Sequence, residues 1–385
     1  MAISENQAYV MQINLDVRLK VTVIPFNEAY LNNDFFNINS KSNRDNCLEP
    51  FVEIGRFFNS QGVDINTIDI TPISKAEYVI FFDLNIKYIF QAFFLGKLNR
   101  SIYIPFEPPV VNRLHSERGL TKISSLFSKI LTWQDGLISN SRFIKFYFPM
   151  PIKNRVIRHV EFSEKKLLTT VVGNKTSNFP DELYSKRIEA INFFQMYIGT
   201  DFDLYGMGWD KSDFPSYKGS VDDKLKAMSN YKFTLCYENQ CNIDGLISEK
   251  IFDCFYARSV PIFWGANNVE KYIPEECFID KRKFNNYFDL LSYLETMTEG
   301  EYNIRVEAVE KYLKSDLFQQ HSSEMFAKTI YNTITSLDNN VEIELKKLPH
   351  MMFFLWMWGL DKTCGKIRFV FSKITNKLSK IWCAL

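Results

Sequence analysis

Short apolar runs alternate with stretches of helical period along most of this chain, and polar or proline-rich segments separate them. Residues 17–26, VRLKVTVIPF, read as a first strand, and a polar loop rich in Asn and Ser follows around 37–43. The pattern predicts a helix over 48–60, a buried strand over 78–83, a helix over 86–95 and strands over 100–106 and 129–134. Glu107 stands at the end of the 100–106 strand in FEPP, where the two prolines stop the strand and stiffen the loop. A second alternating series begins with LLTTVVGNK at 167–175, followed by a helix over 181–196 and a strand with a Gly-rich turn over 201–209. A polar loop and short helix occupy 217–231, a strand 232–237, a helix 248–257 and a strand 260–264. Strand–helix alternation of this kind predicts an α/β fold with parallel, helix-covered sheets and ligands beyond the carboxyl ends of the strands.

The break between the two series falls where FIKFYFPMP runs out through prolines. It predicts a first Rossmann-like domain over 1–155, a second over 156–345 and a tail over 346–385. The 385 residues and 46% hydrophobic content suffice for two such cores. Net charge is +1, but it is unevenly spread: the segment from Lys346 onward has eight Lys or Arg and one acid, so the body is net acidic. That excludes the body as a general polyanion binder. Seven scattered cysteines, with no CxxC pair, argue against a disulfide framework or a zinc site. The N-terminus lacks a basic-then-apolar leader, and the longest apolar run of the tail, MMFFLWMWGL, is too short to span a bilayer. A cytoplasmic location is the expectation.

The stretch YKFTLCYENQCNIDGLISEK, 231–250, carries the chemistry. It reads as strand, polar loop and helix start, and brings Glu238, Asn239, Glu249 and Lys250 together. Amides and a lysine at a helix N-terminus suit the phosphates of a nucleoside diphosphate, and a carboxylate suits sugar hydroxyls. Lys250 in a first helical turn opposes the helix dipole, a conflict that a bound diphosphate removes. Ser248 reads as an N-cap, and Asn267 and Asn268 as turn residues. Asp83, Asp135 and Asp244 do not form a metal pair, and Asp201-Phe-Asp203 precedes a strand instead of a donor loop.

These residues resemble glycosyltransferase family 10, the alpha-1,3/4-fucosyltransferases of bacterial type. The matching string runs YKFTLCYEN…DGLISEKIFDCFYARSVPIFWGANNVEKYIPEECFID, with weaker likeness in FEPPVVNRLH, ILTWQDGL and VVGN. The resemblance implies a GT-B fold, with the acceptor held by the first domain and GDP-fucose by the second. It implies inverting transfer without a catalytic metal or other cofactor. Glu107 is then the general base, against a structural reading in which it bonds nearby amides. Lys250 and Lys218 neutralise the diphosphate, with Lys224 or Lys226 as substitutes for Lys218. Glu249 accepts the ribose hydroxyls. Glu238 and Asn239 face the transferred sugar, or else close their own loop. Asn174, after Gly173, brings backbone near the phosphates or forms an ordinary turn. Leu246 stands where family members often carry an aromatic residue against the nucleotide.

The last segment, KIRFVFSKITNKLSKIWCAL, has five basic residues and no acid. Its apolar and lysine faces separate on a helical wheel, as in a helix lying on an anionic membrane or one packed on its own domain. A membrane-surface enzyme fits a lipid-linked or lipopolysaccharide acceptor at the cytoplasmic face. The expected partners are therefore GDP-fucose, an oligosaccharide acceptor and an anionic membrane, with no nucleic acid. Two alternatives stay open: the same fold using another nucleotide sugar, and a non-catalytic glycan- or nucleotide-binding protein.

Overall fold

A computed structural model describes residues 18–337, apart from 83 and 152–159, together with 347, 349 and 352. The predicted tail helix, Asp83 and the centre of the predicted domain boundary lie outside the described residues.

The first lobe builds one parallel sheet. Its elements are β1 (Lys20–Ile24), α1 (Glu49–Ser60), β2 (Asp64–Thr67), β3 (Tyr78–Phe81), α2 (Ile86–Phe94), β4 (Ser101–Tyr103), α3 (Glu117–Ile123), β5 (Lys129–Thr132) and β6 (Phe143–Lys145). The sheet order is β2-β1-β3-β4-β5-β6. The second lobe begins with β7 (Lys166–Val171), α4 (Tyr184–Tyr197), β8 (Phe202–Tyr205), α5 (Lys224–Met228) and β9 (Tyr231–Tyr237). It continues with α6 (Glu249–Tyr256), β10 (Val260–Trp264), β11 (Ile279–Asp280), α7 (Tyr287–Thr296), α8 (Glu299–Tyr312), α9 (Asp316–Gln319) and α10 (Ser323–Thr335). Its sheet is also parallel, in the order β11-β10-β9-β7-β8. Strands β1, β3, β4, β5, β7 and β8 come out shorter than their predicted runs, whereas β9 and β10 fill theirs. Strand β2, with the sequence DINT, has too little apolar character to be read from the sequence.

One apolar cluster is continuous across the lobes, joining Val21, Ile80, Trp133 and Phe146 to Ile247, Phe252, Phe326 and Ile330. Two further clusters cover the remaining sheet faces, one in each lobe. Helix α10 crosses back to the first lobe and lies on α1, where Tyr331 packs edge-on against Phe58 at 5.4 Å. The Ser323 hydroxyl bonds the Glu49 carboxylate beside this contact.

A polar latch closes the other side of the lobe junction. Lys145 Nζ donates to Asp135 Oδ1 at 2.6 Å and to the Tyr272 hydroxyl at 2.6 Å. Asn268 Nδ2 donates to Asp135 Oδ2 at 2.6 Å. Asn268 Oδ1 also accepts from the Gly245 amide at 2.9 Å, so this residue joins the lobes as well as forming a turn. Gly245, at φ +85°, lies so close to the Trp133 carbonyl that a side chain there would collide with it.

Candidate functional site

Strand β9 ends on Tyr237, and Glu238 follows it into the cleft between the lobes. Gly265, after β10, allows the Glu238 side chain to pass; a Cβ there would lie 2.7 Å from Glu238 Cγ. Glu238 was expected to face the transferred sugar or else to close its own loop, and its contacts in the structure lie within the loop. Its side chain is 1% exposed, and its oxygens are already engaged. Oε1 accepts from the Ser248 amide at 2.9 Å, and the Ser248 hydroxyl bonds the carboxylate at 2.7 and 2.8 Å. Lys250 Nζ donates to Oε2 at 3.1 Å. Glu238 thus closes the loop and orients Lys250. Ser248 occupies the N-cap position without a side-chain cap bond; its hydroxyl serves Glu238 and accepts from Lys250 Nζ at 2.8 Å.

Lys250 lies between two carboxylates, with Glu249 Oε1 at 3.5 Å. Burial alone would lower the Lys250 pKa, but Glu238 and Glu249 outweigh it and raise it, so the ammonium is charged at every working pH. Burial would likewise raise the Glu249 carboxyl, yet Lys250, Lys224 and the local backbone amide hold it at about 2. Glu249 is walled by both lobes but keeps 45% of its side chain accessible. It is therefore a half-exposed carboxylate held in its ionised form.

Arg187 is the residue that the sequence reading missed. It projects from the buried side of α4, in register with Tyr184, Ile191 and Phe194. Nη2 donates to the Tyr237 carbonyl at 2.7 Å and to Asn239 Oδ1 at 3.0 Å, which ties Asn239 into the cluster. Its buried Nε has no hydrogen-bond partner among the described residues, an arrangement that wants an anion. The signal was available: an arginine spaced three and four residues from Tyr184 and Ile191 on a helix shares their face and, once buried there, needs an acceptor.

The remaining expected donor residues divide. Lys218 is 3.4 Å from Asp203, which also pairs with Lys166 at 2.7 Å. Lys166 opens β7, so this pairing lies at the amino end of the sheet. Lys224, at the start of α5, is the cation brought to the cluster; it pairs with Asp253 at 2.5 Å and acts electrostatically on Glu249. Asn174 bonds the Gly208 carbonyl at 3.1 Å in an exposed turn beyond β7.

Across the cleft, Glu107 follows β4 and joins the lining of a cavity of about 1040 Å³. Phe26, Tyr30, Phe51 and Phe106 from the first lobe share that lining with Lys224 and Glu249 from the second. Among the described residues no hydrogen bond or ion pair reaches the Glu107 carboxylate. The walls of the cleft strip water from it and raise its pKa; Lys250 and Lys175 oppose this, and Glu249 and Glu238 add to it. An accessible carboxylate with a raised pKa, facing fixed cations, can take a proton from a bound hydroxyl. Among the described residues no group of three or more His, Cys, Asp or Glu could hold a metal ion, and no helix is long and apolar enough to cross a membrane.

Residues 163–331 match the family described as glycosyltransferase family 10 (fucosyltransferase), C-terminal part. Over 75 residues the chain is 33% identical to alpha-(1,3)-fucosyltransferase FucT of Helicobacter pylori, covering 20% of this chain and 16% of that protein. It is 38% identical over 71 residues to alpha-(1,4)-fucosyltransferase of Arabidopsis thaliana, 18% of each chain. Over 84 residues it is 39% identical to 4-galactosyl-N-acetylglucosaminide 3-alpha-L-fucosyltransferase 9 of Mus musculus, covering 21% of this chain and 23% of that protein. These matches span less than a quarter of each relative's own length. The solved structure of alpha1,3-fucosyltransferase with GDP aligns at a TM-score of 0.53 and 15% identity, over 85% of this chain and 93% of that one. A second structure of alpha1,3-fucosyltransferase gives 0.54 at 14% identity, over 84% and 91%. At these identities the likeness establishes the fold: two parallel sheets facing a cleft, the GT-B architecture.

Proposed function

We propose that this chain, whose residues 163–331 match glycosyltransferase family 10 (fucosyltransferase), transfers L-fucose from GDP-fucose to a glycan hydroxyl with inversion. The observation that carries the reading is the meeting of Lys250 and the under-bonded Arg187 beyond β9, with the ionisable Glu107 across the cleft. Glu107 removes the acceptor proton as the hydroxyl oxygen attacks the anomeric carbon. The bond from that carbon to the β-phosphate oxygen breaks, and its electron pair leaves with GDP. Lys250, Arg187 and Lys224 stabilise the departing charge in the place that a divalent ion takes in other transferases. Glu249 receives the ribose hydroxyls, Asn239 is held at the sugar by Arg187, and Asn174 shapes the phosphate loop. Lys218 would join only by leaving Asp203. The aromatic-walled cavity takes the acceptor, for which the relatives support alpha-1,3 linkage to N-acetylglucosamine. The basic tail places the enzyme at the cytoplasmic face of an anionic membrane, beside lipid-linked or lipopolysaccharide acceptors.

One observation favours a second donor. Leu246 is 2% exposed and belongs to the apolar core, so it offers no surface to a nucleotide base, and a different nucleotide sugar would tolerate that. Product masses from a screen of nucleotide sugars against a panel of glycans separate the two readings. GDP-fucose is expected to give the transferred product, and transfer from another sugar nucleotide alone would reassign the donor. Glu107→Gln is expected to bind donor normally and to turn over about 10²–10⁴-fold more slowly; turnover equal to the parent's would end the base assignment.

A further inference from the structure

The carboxylate of Glu107 stands without a bonding partner, yet the backbone that carries it is held at three points. The Trp133 indole N–H donates to the Phe106 carbonyl at 3.0 Å. His115 Nδ1 lies 2.6 Å from the Glu107 carbonyl. From the other lobe, Gln240 Oε1 accepts the Val110 amide at 3.0 Å.

The chemistry of these contacts fixes the state of His115. A carbonyl only accepts, so Nδ1 carries the proton. Nε2 then accepts from the Tyr103 hydroxyl at 2.5 Å and from the Asn112 side-chain amide at 3.1 Å. Asn112 has its oxygen committed to the Leu114 amide at 3.1 Å. A proton on Nε2 would face the Asn112 N–H, so the neutral ring is the one that fits. Gln134 Nε2 holds the His115 carbonyl at 2.7 Å, and the ring is buried. Gln240 is equally set, with its Nε2 donating to the Pro180 carbonyl at 3.2 Å. It follows Glu238 and Asn239 directly on the donor loop.

We propose that neutral His115 and Gln240 form a cross-lobe clamp on the 106–112 segment, positioning Glu107 for proton abstraction and coupling it to the donor loop. This rests on the assignment of Glu107 as the base. His115 and Gln240 are positioning residues, because the carbonyl and the amide they hold belong to the backbone around Glu107. The groups acting on the Glu107 carboxylate are Lys250 and Glu249 on α6, Lys175 beyond β7, Glu238 at the end of β9 and Tyr184 on α4. A loosened segment would let Glu107 swing out from among them into water.

The test compares Glu107→Gln, His115→Ala, His115→Asn and Gln240→Met in the full chain. Steady-state transfer is read across pH, and GDP affinity by calorimetry. His115→Ala and Gln240→Met are expected to lower kcat roughly 10–100-fold with GDP affinity unchanged. Their acid limb should move toward the ordinary carboxylate range. His115→Asn keeps an N–H near the Glu107 carbonyl and should recover most of the loss. A kcat within twofold of the parent in His115→Ala and Gln240→Met, with Glu107→Gln impaired, overturns the clamp and leaves the base in place. Parallel losses of kcat and GDP affinity would also overturn it, as general damage to packing. Full activity in Glu107→Gln overturns the underlying reading instead. Gln240 lies in the other lobe, so its variant decides the matter even if His115→Ala fails to fold.

Discussion

Glu107 and Glu238 follow central strands of the two sheets, and the same residue type does opposite work in each place. Glu238 is enclosed, accepts from a backbone amide, a hydroxyl and an ammonium, and fixes the start of α6. Glu107 opens onto the cavity with its carboxylate uncommitted and only its backbone secured. Under the proposed function the donor side of the cleft is built before any ligand arrives, whereas the acceptor side keeps its base free. A leaving group needs charge already in place. A base must keep its proton-accepting oxygens available.

Stability separates the two glutamates most sharply. Glu238→Gln should leave Lys250 short of its buried counter-ion and destabilise the fold by about 3–5 kcal/mol, whereas Glu107→Gln should stay within about 0.5 kcal/mol of the parent. Urea midpoints for the pair would erase the distinction if both variants unfolded together. Donor affinity comes next: Lys250→Met should weaken GDP binding about 10²-fold by calorimetry, and unaltered affinity would place the diphosphate elsewhere.

Acid stability follows from burial in the first lobe and at the junction. Burial holds His115 at about 4, against the bond to the Glu107 carbonyl. Burial also holds His321 at about 4, helped by Lys145 and opposed by the bond to the Phe148 carbonyl. Both folded values lie below the ordinary 6.5, so the unfolded chain takes up protons first. Stability is full above 6.5 and declines as pH falls toward 4, by up to about 1.4 kcal/mol per pH unit for each ring. Denaturation midpoints of His321→Gln should show about half that slope; an unchanged slope would assign the acid sensitivity to other groups. The smallest effect distinguishes two lysines. Lys224→Ala should cost about tenfold in GDP affinity and Lys218→Ala less than threefold; the reverse order would restore Lys218 to the diphosphate.

Much of this arrangement was legible in the chain because β3, β4, β7, β9 and β10 are apolar runs, with candidate site residues just beyond β4 and β9. Glu107 could be picked out by its place after β4, and Glu249 and Lys250 by theirs at the start of α6. Strand β2 was not, since its polar DINT is recruited by pairing with β1. Arg187 was hidden by the helix that carries it, because a cation on a buried helix face looks like noise until its acceptors come from a strand 50 residues away. Which glutamate of the 238–249 loop would be enclosed depended on Gly265 and Ser248 meeting in space, which spacing along the chain does not encode. Lys218 and Lys224 lie six positions apart, and only the packing of Asp203 and Asp253 decides which of them reaches the cleft.

The return of α10 onto α1 has a consequence for synthesis. The Ser323–Glu49 bond joins residues 274 positions apart. At about 5–20 residues per second, translation takes on the order of 14–55 s to supply the covering helix. Throughout that interval Phe51, Ile54 and Phe58 belong to a lobe whose lid has not yet left the ribosome. The nascent first half is thus a natural client for chaperones, and slowing elongation before position 323 should lower the soluble yield without changing a residue of the finished chain.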